Sequence, residues 1–117
     1  MEEFRPWGSF EVLFEENGFK VKLIKVEPGT RLSLQRHSRR SEHWFILEGV
    51  ALAKKGEESI ELKKGESIDI EVGEWHRVSN NGEGLLKFIE VLRGEYLGED
   101  DIERSEDDYG RINIPKF

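Results

Sequence analysis

The feature that most constrains the fold is a series of short segments in which polar and apolar residues alternate. The segment 9–16 reads SFEVLFEE, and the segment 19–26 reads FKVKLIKV. Asn17-Gly18 stands between them, and an Asn-Gly pair between two alternating segments is a strong β-hairpin signal. We therefore predict two antiparallel strands joined by a tight turn.

Further strand-like segments follow at 43–49, 50–56, 59–65, 67–75, 75–80 and 85–92, mostly separated by glycine-containing turns. No segment before residue 98 keeps a helical period over three turns. This pattern favours an all-β sandwich, barrel or jelly roll. A chain of 117 residues is expected to form a single domain, residues 1–117. The last twenty residues are compatible with a short helix or with an acidic strap against the barrel.

Charge is unevenly distributed. Residues 98–110, GEDDIERSEDDYG, carry a net charge of −6 out of a total of −7. No basic stripe with interleaved aromatic residues is present, so a nucleic-acid partner is not expected. No apolar run has the length of a membrane span, and the acidic start MEEFRPW differs from a signal peptide. We expect a cytoplasmic protein with no membrane partner.

The scarcity of some residue types is also informative. The chain has no cysteine, which excludes disulfides and thiolate metal sites. Methionine and glutamine each occur once, against 18 basic and 25 acidic residues. This balance is typical of proteins from thermophiles.

Four polar residues are candidate metal ligands. Gln35 and His37 are two apart, so on a strand they project from the same face. Glu42 follows a tight turn at 38–41, and His76 begins a later strand-like segment. Two oxygen and two nitrogen ligands suit zinc, manganese, iron(II) or cobalt and leave positions open for a substrate. The Gln-x-His pair alone also fits an ordinary polar face of a strand.

The surrounding spacing extends this pattern. G29-x5-Q35-x-H37-x4-E42-x6-G49 and G65-x5-E71-x-G73-x2-H76-x3-N80 resemble the two motifs of the cupin superfamily. The resemblance implies a double-stranded β-helix (a jelly roll) that holds a metal inside the barrel. The chain departs at Gln35, where cupins usually have histidine, and at Glu71, where they usually have proline.

Gln35 points to one family within the cupins, because Gln-x-His with a glutamate and a later histidine is similar to the metal ligand set of phosphomannose isomerases. RPWGSFEVL (5–13), PGTRLSLQRHSRRSEHW (28–44), GEWHRVSN (73–80) and GEYLGEDDIERSEDDYGR (94–111) resemble the C-terminal cupin module of type II mannose-6-phosphate isomerases. In that family the module commonly follows a mannose-1-phosphate guanylyltransferase domain. This chain has neither room for that domain nor a glycine-rich phosphate loop.

The resemblance implies a metal-dependent aldose–ketose isomerase that interconverts mannose 6-phosphate and fructose 6-phosphate through an enediol(ate). It implies a divalent cofactor, zinc first and manganese, cobalt or iron as alternatives. Gln35, His37, Glu42 and His76 would be its ligands.

Two residues are the first candidates for a catalytic role. Arg40, in the pattern R-x-E-H-W, is the first candidate for the substrate phosphate, because a guanidinium binds phosphate with two parallel hydrogen bonds. Arg39 and Arg77 are alternatives. Lys22 matches a lysine of the family pattern and has the strand parity to face the barrel, so it is a candidate for proton transfer. His43 should point to the opposite face. Each of these residues could equally be an ordinary charged or polar side chain on the surface.

The same residues are compatible with two other kinds of function. One is a non-catalytic, metal-containing cupin that binds a sugar phosphate or serves as a subunit of a separate guanylyltransferase. Another is a different cupin enzyme, a dioxygenase or another sugar isomerase, although Gln35 argues against the dioxygenase. By analogy with other cupins we also expect a homodimer.

Overall fold

The computed structural model describes residues 1–110, which form two antiparallel β-sheets packed face to face. The strands are β1 (Glu2–Arg5), β2 (Gly8–Glu16), β3 (Phe19–Val26), β4 (Leu34–Arg36), β5 (Arg40–Glu48), β6 (Ala51–Lys55), β7 (Glu58–Leu62), β8 (Ser67–Ile70), β9 (His76–Ser79), β10 (Leu86–Gly94) and β11 (Glu103–Glu106). The strand order is β1-β2-β3-β10-β5-β8 in the larger sheet and β11-β4-β9-β6-β7 in the smaller one.

The predicted all-β class and jelly-roll architecture are confirmed. Residues 1–110 contain no helix, and so none that could span a membrane. Strands adjacent in a sheet are often distant in sequence, as for β5, which lies between β10 and β8.

The hairpin predicted at Asn17-Gly18 is also confirmed. β2 and β3 are joined there, Glu16 pairs with Phe19, and Gly18 has a φ of +93°, a conformation that glycine adopts without steric cost. A bulge between Val12 and Phe14 ends the simple alternation of β2. Phe14 is consequently half exposed and stacks on Phe19, with ring centroids 5.6 Å apart.

The core lies between the two sheets and is built from alternate residues of each strand. On β3 the buried residues are Lys22, Ile24 and Val26, so Lys22 faces inward as its parity predicted. Burial of about 25 cal/mol per Å² of apolar surface is the main stabilising term for such a core. Its largest fully buried apolar side chains are Phe88, Ile46, Ile70, Leu86, Leu92, Val26 and Val78.

The acidic C-terminal segment forms a strap, residues 95–110, along the smaller sheet. β11 pairs with β4, and Tyr109 packs against the core cluster and donates a hydrogen bond to the Arg31 carbonyl oxygen. The helix alternative is therefore wrong for residues 98–110. Arg111, which belonged to the predicted motif, lies outside the described residues.

Candidate metal centre and the cavity beside it

Three of the four predicted ligands converge between the sheets. His37 follows β4, Glu42 lies on β5 and His76 begins β9. One ligand atom from each lies within 4.8 Å of the others, and all three side chains are buried. β5 belongs to the larger sheet, whereas β4 and β9 pair in the smaller one, so the cluster bridges the two sheets.

The two histidines point their Nε2 atoms at Glu42. His37 Nδ1 lies 2.5 Å from the Asp101 carbonyl oxygen, and His76 Nδ1 lies 2.9 Å from the Glu74 carbonyl oxygen. A carbonyl oxygen only accepts hydrogen bonds, so each Nδ1 carries a hydrogen and a neutral ring presents a lone pair at Nε2. These Nε2 atoms lie 3.0 and 3.7 Å from Glu42 Oε2.

The donor set therefore fits a cation. Two imidazole lone pairs and a carboxylate oxygen that face one another are ligands of the kind that divalent metal ions bind in proteins. Histidine ligands fixed through Nδ1 by a carbonyl are the usual arrangement around protein-bound metals. Burial lowers the pKa of His76, against the opposing effect of Glu42, and so favours the neutral ring that binds metal.

Gln35 lies beside this cluster. Its Cα pairs directly with that of His76 between β4 and β9, and its side chain borders the cavity over the cluster. The amide nitrogen donates to Ser33 Oγ at 3.1 Å, which makes the amide oxygen the atom that a cation would use. Its role as a ligand remains a prediction.

Arg40 is buried against the cluster. Its Nε and Nη2 atoms donate to Glu42 Oε2 at 3.2 and 3.0 Å, and Nη2 also lies 3.2 Å from His37 Nε2. Burial alone would raise the pKa of Glu42, but His76, His37 and Arg40 hold it well below the ordinary value. Arg40 Nη1 is buried and has no hydrogen-bond partner among the described residues 1–110, and the residue also borders the neighbouring cavity. A substrate oxygen is the natural partner for such a donor.

Trp44 lies two residues after Glu42 on β5, so the two side chains project from the same face of the strand. Trp44 Nε1 donates to Glu42 Oε1 at 2.9 Å, so the two carboxylate oxygens have different partners. The Trp44 ring also lies edge-on to His76, with centroids 5.8 Å apart, and packs on Phe88. Trp44 therefore orients the Glu42 carboxylate through a hydrogen bond and the His76 ring through an aromatic contact.

A cavity of about 150 Å³ lies beside the cluster. It shares Leu32, Gln35 and Glu90 with the smaller cavity over the cluster itself. Among residues 1–110, the ionisable side chains that border it are those of Arg5, Lys22, Arg40, Arg104, Glu90 and Glu99.

Glu90 is a residue of this cavity that sequence analysis missed. On β10 it pairs with Lys22 on one side and Trp44 on the other. Burial, and then the charge of Glu42, raise its pKa well above the ordinary value. The signal was an acid at the inward position of an apolar strand, between the buried Phe88 and Leu92.

Lys22 does border the cavity, where its Nζ lies 2.8 Å from Glu99 Oε1. The other basic candidates do not border this cavity, although Arg77 borders the smaller cavity over the cluster. Arg39 is exposed and lies over the Tyr96 ring at 5.2 Å. Arg77 is buried, but it donates to the Leu32 carbonyl oxygen and to Glu106 and so ties the strap to the smaller sheet. His43 faces outward and pairs with Asp69, as its parity predicted.

Comparison with known proteins supports the motif assignment. The family model described as mannose-6-phosphate isomerase C-terminal matches residues 1–107. The xanthan biosynthesis protein XanB of Xanthomonas campestris is 47% identical over 108 residues, covering 92% of this chain and 23% of XanB. The alginate biosynthesis protein AlgA of Pseudomonas aeruginosa is 46% identical over 114 residues, covering 97% of this chain and 24% of AlgA. A mannose-1-phosphate guanylyltransferase of Salmonella montevideo is also 46% identical, over 111 residues. The chain thus spans about a quarter of the length of these curated relatives.

Solved structures agree on the fold. A Klebsiella pneumoniae protein with a double-stranded β-helix domain superposes with a TM-score of 0.72 at 23% identity, covering 82% of each chain. KdgF from Halomonas gives a TM-score of 0.76 at 13% identity, covering 84% of this chain and 86% of KdgF. At these identities the likeness establishes the double-stranded β-helix alone.

Proposed function

The chain belongs to the mannose-6-phosphate isomerase C-terminal family, and on that basis we propose that it is a metal-dependent isomerase of mannose 6-phosphate and fructose 6-phosphate. The observation that carries the proposal is the convergence of His37 and His76 Nε2 on Glu42 Oε2 beside a cavity bordered by cationic side chains. A metal-binding set and an anion-attracting cavity are the two features that a metal-dependent sugar-phosphate isomerase requires.

We propose Gln35, His37, Glu42 and His76 as the metal ligands. A divalent cation bound there would stabilise the negative charge that develops on the substrate's carbonyl oxygen when the adjacent carbon loses its proton. Glu42 is the one charged ligand of this set, so a bound cation keeps most of its positive charge for the substrate. Zinc is the first candidate, since it favours mixed nitrogen and oxygen ligands with an open position.

The protein's own residues orient this site. Arg40 and Trp44 hold the two oxygens of Glu42 in place, at 3.0 and 2.9 Å. Arg40 also borders the cavity, and its Nη1, which has no hydrogen-bond partner within residues 1–110, would donate to a substrate oxygen. Lys22 lies on the wall of the same cavity and is the candidate for moving a proton or holding an anion.

The test is formation of fructose 6-phosphate from mannose 6-phosphate by the purified chain. The protein is treated with EDTA and then supplied with zinc, cobalt or manganese. We expect activity to vanish with chelation, to return with metal, and to be lost in His37→Ala and His76→Ala. His43→Ala is the matched control, because it removes the one histidine outside the cluster and should leave activity unchanged.

A second candidate is a metal-containing binding module that works together with another chain. The convergence of His37, Glu42 and His76 supports metal binding by itself, and this candidate requires no turnover. Stoichiometric metal binding without turnover under any of these metals would eliminate the isolated chain as an isomerase and favour this module.

Two further expectations stay predictions. A cytoplasmic location accords with the sugar-phosphate chemistry proposed here. The homodimer is tested by the molar mass in solution, measured by light scattering.

A further inference from the structure

Lys22 is unusual among the lysines of residues 1–110 because it is only 4% exposed. A buried ammonium is costly unless it is paired. Its Nζ lies 4.5 Å from the centre of the Phe10 ring and 2.8 Å from Glu99 Oε1. The guanidinium of Arg5 lies 4.8 Å from the centre of the same ring. Phe10 thus places two cations at one end of the cavity.

Glu99 reaches this end from outside the barrel. It belongs to the strap, between β10 and β11, and its side chain is 59% exposed. Burial would raise the pKa of Glu99, but the charge of Lys22 outweighs this and lowers it, so the carboxylate is ionised at neutral pH. An exposed anion therefore covers a buried cation at the cavity wall.

The strap is anchored at a different residue. The Asp101 carboxylate accepts hydrogen bonds from the backbone nitrogens of Ser38 and Arg39, both at 3.0 Å, and from Ser38 Oγ at 2.8 Å. Glu99 lies two residues before this anchor. Its side chain can therefore leave Lys22 for solvent while the strap stays attached next to His37.

We propose that Lys22 is the central cation of a phosphate subsite and that the Glu99 carboxylate occupies this subsite until a phosphomonoester displaces it. A phosphomonoester carries nearly two negative charges and three strong acceptor oxygens at neutral pH, against one charge for the carboxylate. Arg5 and Arg104 border the same cavity and add to its attraction for a dianion. The subsite deepens the proposed isomerase function, since it would hold the phosphate of a sugar phosphate whose other end reaches the metal centre.

The size of the cavity supports displacement. Its volume of about 150 Å³ is below the range of about 300–1,000 Å³ typical of ligand sites. Departure of the Glu99 side chain enlarges it at the end where Lys22 lies. The exchange of one anion for another also keeps Lys22 paired throughout.

The experiment measures the binding of inorganic phosphate by titration calorimetry. EDTA is kept in the buffer so that phosphate bound to a metal does not contribute. We expect Glu99→Gln to bind phosphate at least about tenfold more tightly than the wild type, about 1.4 kcal/mol, because the competing carboxylate is gone. Asp100→Asn is the matched control, since it removes the same charge one residue away, and its affinity should stay within about twofold of the wild type.

Lys22→Met, placed in the Glu99→Gln background, should abolish the gain. The proposal is overturned if Glu99→Gln binds phosphate no more tightly than Asp100→Asn, or if the gain survives Lys22→Met. If the Lys22 variant fails to fold, the comparison of Glu99→Gln with Asp100→Asn still tests the proposal. Glu99 is exposed, so its substitution should not prevent folding.

The result is separable from the proposed isomerase activity. If Glu99→Gln binds phosphate more tightly and Lys22→Met abolishes the gain, but the wild type shows no turnover, the subsite is retained and the isomerase is eliminated. If the wild type shows turnover but Glu99→Gln does not bind phosphate more tightly, the isomerase is retained and the subsite is eliminated.

Discussion

Replacing Arg40 by methionine should destabilise the metal-free protein far more than the metal-bound one. Arg40 donates twice to Glu42 Oε2, at 3.0 and 3.2 Å, and both side chains are buried. Removing one partner of a buried ion pair leaves an uncompensated charge and costs about 3–5 kcal/mol. A divalent cation at the cluster would supply part of the missing positive charge to Glu42.

The assay is urea denaturation followed by tryptophan fluorescence, with EDTA or with zinc. In EDTA we expect Arg40→Met to lose about 3–5 kcal/mol of unfolding free energy. In zinc the loss should be at least about 1.4 kcal/mol smaller, which by linkage means that zinc binds the variant at least about tenfold more tightly than the wild type.

Arg77→Met is the control for this prediction. Arg77 is also buried and hydrogen-bonded, but to Leu32 and Glu106 and not to the cluster. Its loss of stability should be the same with and without zinc. If Arg40→Met also loses equally under both conditions, Arg40 and the metal do not share the carboxylate, and our reasoning about the site is wrong.

Three further predictions concern the site and its scaffold. Gln35→Ala should weaken zinc binding at least about tenfold, or about 1.4 kcal/mol, in a chelator-competition titration. The control Arg36→Ala, on the same strand, should change zinc affinity less than about twofold. Equal effects of the two substitutions would show that Gln35 is not a ligand. Trp44→Phe should weaken zinc binding about 10–100-fold, because it removes the hydrogen bond that orients the Glu42 carboxylate. An unchanged zinc affinity would show that this hydrogen bond does not contribute to metal binding. Gly65→Ala should cost about 1–2 kcal/mol in urea denaturation because its φ is +86°. Gly49→Ala should cost more, since its new Cβ would also lie 2.8 Å from a backbone oxygen, and equal losses would contradict the clash.

Several features followed from the sequence because they depend on neighbours a few residues apart. Asn17-Gly18 between alternating segments predicted the β2–β3 hairpin, and Lys22 faces the interior as its strand parity predicted. The Gln35-x-His37 spacing and the motif around Glu42 predicted a cluster, and His37, Glu42 and His76 do lie together, with one ligand atom of each within 4.8 Å of the others. Gln35 as a fourth ligand stays a prediction. Turn chemistry and a period of two are local properties, so the sequence expresses them directly.

Other features depended on strand pairings that no local pattern encodes. Arg40 donates hydrogen bonds to the Glu42 carboxylate, a contact that the sequence did not predict, and its role toward the substrate phosphate stays a prediction. Glu99 meets Lys22 across 77 positions of the chain, and the Asp101 carbonyl oxygen meets His37 across 64. These contacts exist because β11 pairs with β4 and folds the strap over the cavity. The sequence by itself determined which faces of the strands point inward, whereas only the tertiary structure decided which inward charges meet, because sheet order is set by packing between distant segments.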